Sequence, residues 1–227
     1  MATFLELCQN VMRESGISSS GSLSGVVAQT GMNRIIVDAV QNANISIQGK
    51  FHDWRFLWAE WTQQLAVGAN SGLYNEYQVP AGFGEFERGY GATRIGVNPI
   101  RVFDYADVRV MARSVIPGRP SALIVMPNGM ARITPIPQAI ATLVAEYYRA
   151  PLAMIANNEI SLIPVMHHRA IETMALAYMT AHIEDMESHR RFMGEYQYEM
   201  ARLEASQLQG HISRTGGSNE DNMVMAE

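Results

Sequence analysis

The stretch Gln48-Gly49-Lys50-Phe51-His52-Asp53-Trp54-Arg55-Phe56-Leu57-Trp58 separates two hydrophobic periods. Upstream, Met32, Ile35, Ile36, Ala39, Val40, Ala43, Ile47, Phe51 and Trp54 recur at helical spacing, the stripe of an amphipathic helix that starts near Thr30. Asp38, Gln41, Asn42 and Gln48 are predicted to lie off that stripe. Downstream, Ala59, Trp61, Leu65 and Val67 alternate with Glu60, Thr62, Gln64 and Ala66, the period of a half-buried strand. A chain that changes period here must pass from a helical layer into a β module. Phe51, Trp54, Phe56, Trp58 and Trp61 crowd the change and are predicted to form a structural joint between the two.

The flanking segments fit the same scheme. Thr3 and Glu6 make a capping-box pattern ahead of Phe4, Leu7, Cys8, Val11 and Met12, which predicts a first helix ending near Gly16. Residues 16–25 are rich in Ser and Gly and read as a flexible loop. After the strand at 59–67, Gly68 to Gly72 predicts a turn and Leu73, Tyr77 and Val79 a second strand, together a hairpin. Residues 80–92 read as a Gly-rich loop or bulged edge, and Ile100 to Phe103 as a short strand. Asp104 is predicted to cap a small helix carrying Val108, Met111 and Ala112. Pro127-Asn128-Gly129 between two apolar runs is a hairpin signal. Ile140 to Arg149 predicts a strand with Leu143, Ala145 and Tyr147 on one face.

The C-terminal part returns to helical spacing. Pro164 suits a first helical turn, and Ile171, Met174, Ala175, Tyr178 and His182 are predicted to share a face. The polar run Glu184-Asp185-Met186-Glu187-Ser188 marks a break before a last helix with Phe192, Tyr196, Met200 and Leu203 on its inner side. Both helical ends are amphipathic and need a partner face, so the economical arrangement packs them together. The predicted fold class is therefore α+β: a discontinuous helical bundle, 1–58 and 161–209, with an inserted antiparallel β module, 59–160. Residues 210–227, rich in Ser, Gly, Asn and acids, read as a C-terminal arm that is flexible when free.

Composition excludes several functions. The net charge of −5 argues against a general nucleic-acid binder, which needs many phosphate-neutralising cations. The cations are sixteen arginines and one lysine, Lys50, a bias that reflects either planar pairing at interfaces or codon usage. No apolar run approaches the length of a membrane helix, and Met1 to Glu6 lacks the basic start of a signal peptide, so neither is expected. One cysteine, Cys8, leaves no internal disulfide, and its place on an apolar face predicts an inert thiol.

Motifs for chemistry fail one by one. Gly49-Lys50 lacks the rest of a P-loop, Gly82-Phe83-Gly84 lacks the rest of a dinucleotide fingerprint, and no nucleophile elbow exists. His182, Asp185 and His189 would share one face of an unbroken helix, but the polar run breaks it, so no metal is expected. His167 and His168 read as a cap or surface pair. Glu85 and Glu87 are a carboxylate pair of the kind glycosidases use, set in what reads as a solvated loop. The tryptophans are either core or a stacking platform; without a basic patch the core reading is favoured. No catalytic residue and no cofactor are predicted.

The order of elements carries a resemblance. A short helix precedes a long one ending in Asp53-Trp54-Arg55-Phe56-Leu57. A β module carries Asn98-Pro99-Ile100-Arg101-Val102 and Asp104-Tyr105. Ala145-Glu146-Tyr147-Tyr148-Arg149 leads to Ser161-Leu162-Ile163-Pro164, and a helix pair ends in Tyr196-Gln197-Tyr198-Glu199-Met200. Over residues 3–208 this resembles the head-to-tail adaptors of short-tailed bacteriophages, of portal-adaptor or tail-tubular type. The loop at 81–92 and the segment after 210 match no pattern of that family.

The resemblance implies a non-enzymatic virion protein, assembled in the host cytoplasm. Its partners would be the portal protein, a downstream tail or nozzle protein and further copies of itself in a ring, a dodecamer. Genomic DNA would pass through without specific binding. Within the C-terminal arm, His211, Ile212, Arg214, Met223, Val224 and Met225 are the candidate portal contacts. Two rivals stand beside this reading. One is a carbohydrate-binding or cell-wall-degrading module, which would expose the tryptophans; the other is a different neck or tail-completion protein.

Overall fold

The computed structural model describes residues 2–16 and 23–208. Most of the Ser/Gly loop and all the candidate arm residues, His211, Ile212, Arg214, Met223, Val224 and Met225, lie outside them. The chain divides into two units, Met1–Leu57 with Pro151–Glu227, and Trp58–Ala150. The fold is α+β, with helices toward both ends and a β module between them in sequence. Residues 151–160, placed with the strands on sequence grounds, belong to the helical unit because their backbone bonds to it. The Glu159 and Asn157 carbonyls accept from Phe4 and Leu5 N–H, at 2.8 and 3.2 Å.

In the helical unit, α1 (Phe4–Glu14) starts with the full capping box, Thr3 accepting from the Glu6 N–H and Glu6 from the Thr3 N–H. Its buried side is Phe4, Leu7, Cys8 and Val11. Helix α2 (Gly31–Gly49) buries Ile36, Val37, Ala39, Val40, Ala43 and Ile47. Gln48 and Asn44 are buried too, contrary to the expected polar position of Gln48. Their carboxamides are satisfied by one backbone site. Gln48 Nε2 and Asn44 Nδ2 donate to the Leu152 carbonyl at 3.2 and 3.1 Å, and Gln48 Oε1 accepts from the Leu152 N–H at 3.0 Å. Asn44 Oδ1 also accepts from Ser161 Oγ at 2.6 Å.

The helix stops at Gly49, so Phe51 and Trp54 do not continue its stripe; a short 3-10 turn, Arg55–Leu57, follows. Trp54 is nonetheless fully buried, with Phe51 edge-on and Phe56 stacked, each at 5.2 Å between ring centres. Its indole N–H donates to the Ile47 carbonyl at 3.0 Å, which ties the turn to the last coil of α2.

Helices α4 (His168–His182) and α5 (Met186–Gln207) complete this unit. Helix α4 is buried on nearly every side by small residues, Ala170, Thr173, Ala175, Ala177 and Thr180, among Ile171, Leu176 and Met179. The expected single face therefore fails at its end, where Tyr178 and His182 are exposed. Contacts from α1, α2 and α5 explain the all-round burial. The expected break is present: Glu184 has φ of 61°, and the Asp185 side chain caps α5 by accepting from the Ser188 N–H at 3.1 Å.

The β unit holds β1 (Trp58–Leu65), β2 (Asn75–Gln78), β3 (Phe83–Phe86), β4 (Thr93–Ile95), β5 (Asn98–Pro99), β6 (Arg101–Asp104), a short α3 (Arg109–Ala112), β7 (Pro117–Gly118), β8 (Ala122–Val125), β9 (Met130–Thr134), β10 (Ile136–Pro137) and β11 (Ala141–Arg149). The predicted hairpin of β1 with β2 does not form. Strand β1 pairs instead with β11 over its whole length, from Trp58 opposite Tyr148 to Leu65 opposite Ala141. Strand β2 pairs with β9. The other side of β11 carries β3 and β4. Gly84 in β3 lies so close to β11 that a Cβ there would sit 2.9 Å from the Tyr148 carbonyl oxygen, a distance only glycine permits.

The second sheet runs β2, β9, β8, β6, with β8 and β9 joined by the predicted Asn128-Gly129 turn and Gly129 at φ 76°. The two sheets share one core, in which Trp61, Leu65, Phe86, Leu143 and Tyr147 from the first join Tyr77, Leu123 and Ile133 from the second. Asp104 does not cap α3, whose N-cap is Val108 without a side-chain bond. Arg132 from β9 positions α3 instead. It donates to the Ala112 carbonyl, pairs with Glu76 through Nε at 2.8 Å and lies over the Tyr74 ring at 3.7 Å.

Trp54→Ala should lower the stability of the protein by about 3–5 kcal/mol, the usual loss for a fully buried indole. A denaturant titration with an unchanged midpoint would contradict its burial.

Candidate interaction surfaces

The side chains with chemical potential are engaged structurally. Glu85 and Asp104 both hold Arg88, at 3.2 and 2.8 Å. The hydrogen bond with Asp104, with smaller contributions from Glu85, keeps that guanidinium more firmly protonated. Glu87 accepts from the Gly89 N–H at 2.8 Å. Burial pushes the Cys8 thiol up to about 12, far from a reactive thiolate. His189 Nδ1 donates to the Ala177 carbonyl at 2.9 Å, and hydrogen bonds from Ser188 hold the Asp185 carboxyl below its usual range. Among the described residues no three His, Cys, Asp or Glu side chains are grouped to hold a metal.

The adjacent histidines are not a surface pair. Both are buried. His168 Nε2 donates to the Ile163 carbonyl at 3.0 Å. His167 Nε2 lies 2.8 Å from Ser206 Oγ, whose own proton goes to the Leu203 carbonyl, so this nitrogen donates as well. The Nδ1 atoms of both rings are buried without a partner among the described residues. Burial, the main cause in each case, lowers both rings below the ordinary histidine value.

The five aromatics of the expected joint divide between the units. Phe51, Trp54 and Phe56 cluster in the helical unit, and Trp61 enters the β core beside Phe86 at 5.9 Å. Trp58 is the one half-exposed indole, at 45 %, and its N–H donates to Glu146 at 3.1 Å. A glycan platform needs neighbouring exposed rings, and these tryptophans do not supply them.

The surface offers apolar and cationic ground of another kind. In the β unit, a groove of about 650 Å³ opens between the Gly-rich loop and β6, lined by Tyr90, Thr93, Arg101, Phe103 and Met111 among others. Beside α3, Val110 is 89 % and Ile116 66 % exposed, with Val115 also outside. Arg109, Arg113 and Arg119 are exposed around them. In the helical unit, Ile183 and Met186 project from the turn before α5. The sequence pattern gave no sign of these patches except the arginines, which recur through 101–119 with few neighbouring acids.

Residues 2–219 match the family model described as SU10 adaptor protein. The chain belongs to this family of phage head-to-tail adaptors. Among curated proteins no match was found. The adaptor is thus a bacteriophage structural protein, and the grouping of its apolar surface with arginines fits a protein made for contacts. Among the described residues of the adaptor no helix is long and apolar enough to cross a membrane.

The lowered histidines lead to a prediction of acid sensitivity. Below the ordinary value of about 6.5 the unfolded chain takes up protons that the folded chain resists, so the unfolded state binds more of them. The stability is full above that value and is lost as pH falls from it toward the lowered folded values. Denaturant midpoints measured at about pH 7.5 and about 5.5 should therefore drop, and the drop should shrink in the His167→Gln/His168→Gln chain. An equal drop in both chains would assign the acid sensitivity elsewhere.

Proposed function

We propose that this adaptor forms a homo-oligomeric ring, a dodecamer, below the portal and continues the DNA channel toward the tail. The observation that carries the reading is the family match along residues 2–219. The exposed apolar and arginine patches support it, since a monomer in water has no use for them. So does the net charge of −5: phosphates are gripped by cations, and an acidic wall lets DNA slide. The protein acts without catalysis, in the virion neck, after assembly in the host cytoplasm. Its neighbours are the portal, a tail or nozzle protein and its own copies, whose repeated head-to-tail contact closes when the rotation fits.

The arm after residue 210 is assigned to the portal, with His211, Ile212, Arg214, Met223, Val224 and Met225 as the contact residues. The arm is expected to tune attachment more than to drive it.

Light scattering should show a monomer or labile oligomer for the isolated protein, and imaging should show a ring once portal-containing particles are added. Particles that stay bare would remove the ring reading. The chain lacking residues 211–227 should melt as the full chain does and load less well onto the same particles. Equal loading would leave the arm without a docking role.

A further inference from the structure

The charges of the adaptor are unevenly shared. Residues 58–150 contain eight arginines and seven carboxylates, whereas 151–208 contain four arginines and eight carboxylates. In the β unit Arg88, Arg94 and Arg132 have acidic partners. Arg101, Arg109, Arg113 and Arg119 are exposed and make no ion pair among the described residues. Arg109 and Arg113 flank the exposed Val110, next to Met111. The groove at this place holds about 670 Å³. Arg132 fixes the helix that presents them, through the Ala112 carbonyl.

The helical unit carries an acidic turn, followed on α5 by the exposed Arg190 and Arg191. At the turn between α4 and α5, Ile183 and Met186 are 45 % and 55 % exposed. Glu184 and Glu187 alternate with them, both exposed and neither in an ion pair among the described residues. Apolar side chains among cations, facing apolar side chains among acids, are the two halves of a protein contact. DNA would use the arginines and leave Val110, Met111 and Ile116 wet, so a protein occupant accounts for more of the patch.

We propose that the occupant is a second copy of this chain: Val110 and Met111 with Arg109 and Arg113 on one copy meet Ile183 and Met186 with Glu184 and Glu187 on the next. The two patches are different surfaces of one chain, so the contact is heterologous and repeats from copy to copy. The proposal rests on the ring reading and names the contact that would build the ring. Opposite charges across it set the register and speed encounter, and like charges there oppose assembly strongly.

The test uses full-length protein and portal-containing particles, scored for rings by imaging, with thermal melting as the check on folding. Arg109→Glu/Arg113→Glu and Glu184→Arg/Glu187→Arg should each lower ring formation by at least about tenfold, since each places like charges together. The chain carrying all four changes should recover most of the loss. Val110→Ser, which leaves every charge in place, should also weaken the ring and shows that the contact is not electrostatic alone. Rings from both reversed chains at wild-type level overturn this contact and leave the ring reading standing. So does a four-fold variant that melts normally without recovering. Normal rings that lose DNA retention in the arginine variant assign the patch to DNA instead. A wild-type chain that never forms rings removes the ring reading and this contact together.

Discussion

The helical unit depends on a grip on one residue's backbone. The chain leaves α2 at Gly49 and returns at Pro151, and the return is held by Asn44 and Gln48 on the Leu152 amide and carbonyl. Both carboxamides are buried, where an unpaired amide would cost roughly 1–3 kcal/mol. Only the correctly placed return segment satisfies them, so the same groups that penalise a misplaced return reward the native one. Ser161 extends the grip by donating to Asn44 and accepting from the Ile163 N–H at 3.1 Å. The Glu159 and Asn157 carbonyls then cover the open N–H groups of α1. An insertion of β structure between α2 and α4 is tolerated because its far end is fixed this way.

What the grip delivers is α4. This helix touches α1, α2 and α5, and its small residues let those neighbours come close on several sides. Thr173 and Thr180, both buried, satisfy their hydroxyls on carbonyls one turn back, at 3.0 and 2.9 Å. The two threonines thus enter an apolar surround with their hydroxyls paired. The charged side chains stay at the edges, where Arg169 gathers Glu14, Glu172 and Glu195. Exposed pairs of this kind add little stability, and the unit is held mainly by burial.

The β unit solves a different problem. Strand β11 accepts β1 on one side and β3 and β4 on the other, which makes it the axis of its sheet. Its inward residues Leu143, Ala145 and Tyr147 meet the second sheet in a common core. Arg132 and Glu76 place one buried ion pair at the margin of that core, and through it the short α3 is held in position with Ala112 buried and Val110 outward. One arginine thus links the margin of the core to the exposed apolar ground beside α3.

The local elements were legible because each is set by neighbours in sequence. The Thr3/Glu6 capping box, the Asn128-Gly129 turn, the alternation of β11 and the break at Glu184 follow from a few adjacent residues, and the structure has all of them. The α+β class and the family follow from the order of such elements. Partners distant in the chain were not legible. Strand β1 reads like half of a hairpin, yet its partner lies beyond Ala141, because alternation fixes which side is buried and not which strand lies alongside. Gln48, His167 and His168 look like surface residues until their partners, the Leu152 and Ile163 backbone and the Ser206 hydroxyl, are known. The exposed ground around Val110 has the same cause: an apolar residue on a short helix is core or surface according to what folds over it. Sequence alone determined the α1 cap, the Asn128-Gly129 turn and the β11 alternation, which are short-range; tertiary structure decided strand pairing, polar burial and which apolar side chains stay exposed, because those depend on groups that meet only when the chain has folded.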